Sequence, residues 1–392
     1  MTGGAIGDMD SQSIVDLRKN LHRYPELSGE ETCTADLIKN ELNKTKPTRI
    51  IDKVRGHSII AEYCFAGKGP TVLLRCELDA LPIQEQNEFS HKSSLEGISH
   101  KCGHDGHMSI MLGVANDLHI RPLSTGKVLL LFQSAEETGE GAKQVADYLR
   151  DEAINIDYVF ALHNIPGMEL NSISCKKGIF SPEVISIDIN LRGRVSHAAE
   201  PEGGISPALA IADTIRSLHD MNNPEKESDN FFLITPIEVK MGNTAYGIAA
   251  GDGIIRYTMR TWGTESLSNY RLIIENTLAK IIQQTKGLEY SIDWHQEFRA
   301  NINDDTAVEI IEKASLACGL NFIEMDQPLS FGEDFGFLTS QYPGAMFCVG
   351  AGKDCKPLHD TFYDFPDKII YAGIQVFSEI LRSIINQVQA NE

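Results

Sequence analysis

Four short runs of continuous apolar residues fix the kind of sheet this chain can build: TVLLRCELD (71–79), KVLLLFQ (127–133), YVFALH (158–163) and AMFCVG (345–350). A strand with one wet face alternates apolar and polar residues, whereas a strand covered on both faces stays apolar throughout. These runs therefore predict an α/β fold: a mostly parallel sheet with helices on both faces. Helical stripes lie between the runs, with Ile110, Met111, Val114 and Leu118 in one and Val145, Tyr148 and Leu149 in another. Each run also leads into polar groups: Glu77 and Asp79, then Glu136 and Glu137, then His163. Open α/β sheets bind ligands beyond the carboxyl ends of their strands, so the reactive side chains stand where such a fold builds a site.

At 392 residues the chain is too long for one ordinary core. A first helix is expected to start near Asp10 or Ser11, to carry Ile14, Leu17 and Leu21 on one face, and to end before Pro25. From about residue 183 to 297 the pattern changes to strand, helix, strand, strand, helix, strand, the order of a ferredoxin-like unit. Alternation in VISIDINL suits a sheet with one covered face. Because α/β material resumes after residue 300 and closes with an amphipathic helix over 367–388, this unit reads as an insertion. The expected division is 1–182 with 298–392 as one domain and 183–297 as the inserted one.

The formal net charge of -20 argues against nucleic acid as a partner, since a duplex is held mainly by Lys and Arg. No basic amphipathic stretch suits an anionic membrane, and no apolar run reaches the roughly 18 residues needed to span one. The opening residues MTGGAIGDMDSQS lack the basic and apolar regions of a secretory signal, so a cytoplasmic protein is expected. The eight cysteines are scattered with no C-x-x-C pair, and most read as buried, reduced thiols.

Cys102 is the exception, because it opens Cys102-Gly103-His104-Asp105-Gly106-His107. Thiolate and imidazole suit borderline ions such as Zn²⁺, and Gly103 lets the backbone turn between two ligands. Three further stretches carry metal-type groups: Glu136-Glu137, His163 in FALHNIPG and His359 in PLHDTFYDFPD. Adjacent glutamates suggest a division of labour, one as ligand and one as general base. Taken singly, each has a bland reading: a strand-end histidine as a structural residue, a Glu pair as the acidic start of a helix. Their coincidence at the strand ends of one sheet favours a metal site. His107 reads as a support for it, and Asp105 as either an orienting group or a turn residue. His22, His57, His91, His100, His119, His219 and His295 have no partner logic, and VGAGK lacks a full phosphate-loop pattern.

The stretches RCELDALPI, HKCGHDGHM, FQSAEETGEGA, LHNIPG, SHAAEP, GEDFGFL and LHDTFYDFPD resemble the aminoacylase/carboxypeptidase-type dinuclear metallohydrolases. The closer likeness is to their amidohydrolase branch, with hippurate hydrolases, auxin–amino-acid amidohydrolases and N-acetyldiaminopimelate deacetylases. The resemblance implies two divalent ions per subunit, Zn²⁺ or Mn²⁺, held by Cys102, His104, Glu137, His163 and His359. It implies Glu136 as general base, Asp79 as the residue that orients a ligand, and His197 as a group that reaches over the substrate. It also implies a homodimer built through the inserted lid domain, acting on a small amide.

On that basis the expected reaction is hydrolysis of N-acyl amino acids or related small amides. A small dipeptidase or carboxypeptidase of the same chemistry is the alternative, and a metal-binding dimer without catalysis is another. Four departures from the family pattern stand out: Glu77 for Asp, Glu202 for His, Gly247-Ile248-Ala249-Ala250 for Asn-Val-Ile-Pro, and Gly332 for Ser. The third touches the region that, with Arg260, is expected to recognise a substrate carboxylate. Arg260 also has the plain reading of a solvated strand charge.

Overall fold

The computed structural model describes residues 11–228 and 230–391. Two compact units emerge, one comprising 1–180, 301–328 and 334–392 and the other 181–300 with 329–333. The expected helix-start residue Asp10 lies outside the described residues. The first helix runs Ser11–Arg23 and buries Ile14 and Leu21.

The larger unit is built on an eight-stranded sheet. Its order is Arg49–Val54, Ser58–Cys64, Lys127–Gln133, Thr71–Glu77, Tyr158–Ile165, Gly344–Gly350, Ile173–Cys175 and Phe322–Glu324. The four apolar runs form its parallel centre, in registers that include Glu77 with Gln133, Arg75 with Ala161 and Cys348 with His163. Antiparallel pairing enters where the outer strands join, at Arg49–Val54, Ser58–Cys64 and Ile173–Cys175.

Burial explains why the runs are continuous. Val72, Leu74, Cys76, Val128, Leu130, Phe132 and Phe347 share one core with the helices Ser11–Arg23, His104–Ile120 and Ile370–Asn391. The alternate residues Leu73, Leu129, Leu131, Val159 and Met346 point to the opposite face and are equally buried. Burying a Val, Leu or Phe side chain is worth about 1.5–3 kcal/mol, so both faces contribute to holding the sheet. The closing amphipathic helix begins with a 3₁₀ turn at Asp367–Ile369 and continues as Ile370–Asn391, past the expected end.

In the second unit the strands Phe232–Met241, Asp252–Thr261, Glu183–Arg192 and Glu289–Phe298 form an antiparallel sheet in that order. The helices Ala208–His219 and Thr264–Ile282 pack on it around Ile185, Ile187, Ile189, Leu191, Ile255 and Met259. The alternation in VISIDINL thus marks a sheet with one helix-covered face. The chain order is β-α-β-β-α-β, the ferredoxin-like arrangement.

Candidate functional site

The candidate residues of the larger unit converge beyond the carboxyl ends of its central strands. Thr71–Glu77 leads directly to Asp79, and Lys127–Gln133 leads through a turn to Glu136 and Glu137. His163 lies near the end of Tyr158–Ile165, and Cys102 and His104 flank the start of the His104–Ile120 helix. Gly103 sits at φ +100°, a left-handed conformation that places the two neighbours on one side of a tight turn. A Cβ there would come within 2.5 Å of Asn164 Oδ1 and 2.8 Å of the Tyr363 hydroxyl. His359 also adopts a left-handed φ of +67°, and its amide donates to the Lys101 carbonyl at 2.8 Å. Such a conformation is uncommon for a non-glycine residue and is found where a site fixes the backbone.

Three overlapping groups have ligand atoms within 4.8 Å of one another: Cys102, His104 and His163; Cys102, Glu137 and His359; His104, Glu136 and Glu137. Cys102 Sγ lies 3.4 Å from His163 Nε2. His104 Nε2 is 3.9 Å from both Glu136 Oε2 and Glu137 Oε1, and His359 Nε2 is 3.9 Å from Glu137 Oε1. The three 3.9 Å separations exceed hydrogen-bond length and leave room between those atoms.

Asp79 stands behind the cluster. His104 Nδ1 donates to the Asp79 carbonyl at 2.8 Å, with Asp79 Oδ1 3.4 Å away. Asp79 Oδ2 accepts from the Glu137 amide at 2.9 Å and from Ser28 at 2.7 Å. His163 Nδ1 donates to the Asn164 carbonyl at 2.9 Å. Both imidazoles are thus tied at Nδ1 with Nε2 turned toward the other candidates, the way a metal-binding histidine is held.

Charge in the cluster is one-sided. Burial alone pulls His104 down, but its hydrogen bond to Asp79 and the charges of Glu77, Asp79 and Glu137 outweigh it, carrying the ring to about 10. Burial, then Glu137, Glu136 and Glu77, pushes the Cys102 thiol well above its ordinary value. Burial and neighbouring His107 push His163 down to about 3. Carboxylates and a thiol packed this closely call for a cation among them. His104 Nε2 is buried and makes no hydrogen bond, which is the state of a ligand atom reserved for an ion. The donor set and this orphaned nitrogen fit a borderline divalent metal.

Further groups surround the cluster. Both nitrogens of His107 are engaged, Nδ1 lying 2.6 Å from Glu77 Oε2 and Nε2 2.6 Å from Asn164 Oδ1. Although Glu77, His104 and His107 lie close enough to hold an ion, these contacts leave His107 no nitrogen to offer. Asp334 takes the Ala142 amide at 2.8 Å, Gln133 Nε2 at 2.7 Å and Arg75 at 2.5 Å, so it holds loops together. Asn164 and Tyr363 gave no sequence signal beyond lying beside His163 and near His359. His22, without apparent partners in the sequence, sits between Asp105 at 2.8 Å and Glu85 at 3.1 Å.

His197 and Arg260 belong to the second unit. His197 is exposed, on a two-residue strand paired with Ile248–Ala249, and its Nδ1 accepts from the Ala199 amide at 3.1 Å. Arg260 is half-buried opposite Val184 and Leu233, and burial lowers its pKa. No carboxylate among the described residues pairs with it.

A model of Peptidase family M20/M25/M40 matches residues 73–383. An N-acetyl-L-cysteine deacetylase of Bacillus subtilis is 28% identical over 375 residues, covering 95% of this chain and 88% of that protein. An IAA-amino acid hydrolase ILR1-like protein of Arabidopsis thaliana is 29% identical over 378 residues, covering 94% and 85%. Among solved structures, a dinuclear metal-binding peptidase of the M20 family from Bacillus subtilis superposes with a TM-score of 0.80. That pair shares 24% identity, over 96% of this chain and 98% of the other.

Proposed function

Because the chain belongs to peptidase family M20/M25/M40, we propose that it is a metal-dependent hydrolase of small linear amides, with N-acyl amino acids as substrates. The observation that carries this reading is the pair of triads sharing Cys102, set beside the carboxylate of Glu136, which groups with His104 and Glu137. Cys102, His104, Glu137, His163 and His359 would hold two divalent ions, Zn²⁺ or Mn²⁺. Such ions supply Lewis acidity, lowering the pKa of water and polarising an amide carbonyl.

The chain's own groups do the rest. Glu136, buried and 3.9 Å from His104 Nε2, is placed to take the proton of the attacking water on its carboxylate. The same carboxylate then delivers that proton to the departing amine nitrogen. Asp79 holds the His104 ring and the Glu137 backbone, so the donor atoms are oriented before substrate arrives. His197 donates a hydrogen bond to the oxygen that gains charge at the carbonyl. Arg260, a half-buried cation with no carboxylate partner among the described residues, takes the carboxylate of the amino-acid part.

We assign catalysis to 1–182 with 298–392, and lid and dimerisation roles to 183–297. The strand Phe232–Met241 supports the second assignment: it closes one side of its sheet, with Ile237, Val239 and Met241 exposed. An apolar sheet edge invites strand pairing with a second copy of this chain. Eight free cysteines suit a reducing cytoplasm, and no described helix is long and apolar enough to cross a membrane.

A panel of N-acetyl and N-benzoyl amino acids and dipeptides, followed by release of the free amine, tests the reading. Cleavage of the N-acyl compounds that stops on chelation and returns with metal is expected. Preference for dipeptides would move the protein to the peptidase side of the same chemistry, and metal binding without turnover on any compound would overturn the enzyme reading.

A further inference from the structure

The buried chain Glu77–His107–Asn164–Tyr363 has a place in the geometry that the mechanism above leaves unused. Glu77 is fully buried at the end of Thr71–Glu77, where its carboxylate pairs with Arg75 on one side and His107 Nδ1 on the other. His107 passes the contact to Asn164 Oδ1 at 2.6 Å, and Asn164 Nδ2 donates to the Tyr363 hydroxyl at 2.6 Å. These residues come from a strand end, a helix, a second strand end and the loop that carries His359.

The chain touches the candidate ligands at two places. The Asn164 amide and the Tyr363 hydroxyl form the surface against which Gly103 turns, since a Cβ there would meet both atoms. The His107 ring meets the His163 ring edge-on, with centroids 4.9 Å apart and planes at 77°. Asn164 also supplies the carbonyl that fixes His163 Nδ1. The spacing of Cys102, His104 and His163 is therefore bounded on its inner side by this one hydrogen-bonded chain.

We propose that Glu77, His107, Asn164 and Tyr363 are positioning residues that shape the Cys102–Gly103–His104 turn and the His163 ring for metal. This rests on the metal-site reading above. Glu77 is central because it ties the chain to the buried Arg75–Asp334 pair, and its length is matched to His107 Nδ1. Asp at this position would leave the carboxylate one methylene short of that contact.

Cobalt(II) titration of metal-free protein tests the proposal, read by the thiolate-to-cobalt charge-transfer band and by competition with a chromophoric chelator. Wild type should show the band and Cys102→Ser should lose it; a wild type without the band would sink the metal-site reading itself. Tyr363→Phe and His107→Gln should keep the melting temperature of the metal-free protein close to wild type. Their cobalt affinity should fall about ten- to hundredfold, with a shifted band. Glu77→Gln, which keeps the length of the side chain, should retain more affinity than Glu77→Asp. Unchanged affinity and band in Tyr363→Phe and His107→Gln would overturn the positioning role while leaving the metal site standing. Equal loss of metal-free stability and affinity would overturn it too, because a merely structural contact behaves that way.

Discussion

Gly103 sets the turn between two of the candidate ligands, Cys102 and His104. It combines a left-handed φ with a floor of Asn164 and Tyr363 that leaves no space for a Cβ. Gly103→Ala is expected to add strain of about 1–2 kcal/mol from the backbone alone and to push the Asn164–Tyr363 bond aside. Metal affinity should fall more than thermal stability, as chelator competition beside a melt would show. Arg260 makes a different kind of prediction. If its charge awaits a substrate carboxylate, Arg260→Ala should raise KM for free-acid substrates about ten- to hundredfold and leave their carboxamide analogues nearly unchanged. Equal effects on both would remove it from recognition.

At the scale of elements, the Ser11–Arg23 helix is fastened to the His104–Ile120 helix by buried charge. Arg18 pairs with Asp105 at 3.3 Å and Asp364 at 2.7 Å, and His22 bridges Asp105 and Glu85. Burial disfavours a charged His22 ring, but its hydrogen bonds to Asp105 and Glu85 prevail and raise it from 6.5 to about 9. A pKa raised by folding stabilises fully below the unfolded value, and the gain is lost as pH climbs through the folded one. His22 should thus contribute on the order of 3 kcal/mol at acid pH, fading between about 6.5 and 9. Melts of wild type and His22→Gln across that window check this: their gap should narrow as pH rises, and a constant gap would refute it. This clamp could not be read from the sequence, because the helix pair Arg18 and His22 is far along the chain from Glu85 and Asp105. The parallel strands were legible for the opposite reason. Continuous apolar runs report burial on both faces locally, without knowledge of any partner.

For the whole molecule, the two-unit division follows from a change of period along the sequence, from continuous runs to alternation and back. The short strands Arg49–Val54, Ile173–Cys175 and Phe322–Glu324 escaped that reading because three to six residues carry too little pattern. The candidate ligands were legible as residue types, although Cys102 and His104 stand at a helix start and His359 in a loop rather than at strand ends. The places of Asn164 and Tyr363 beside them were not, since those residues meet only once the sheet has formed. A dimer through the second unit should dissociate in Val239→Lys, which places charge on the exposed edge strand. Light scattering would show monomers, and an unchanged dimer would place the interface elsewhere.

The central claim is that one buried cluster holds metal while Glu136 moves the proton. Metal content and turnover measured together on Glu136→Gln test it most directly. The account predicts two divalent ions per chain, as in wild type, and hydrolysis of an N-acyl amino acid slowed by about a hundredfold to ten-thousandfold. Turnover at the wild-type rate with the metals in place would contradict it.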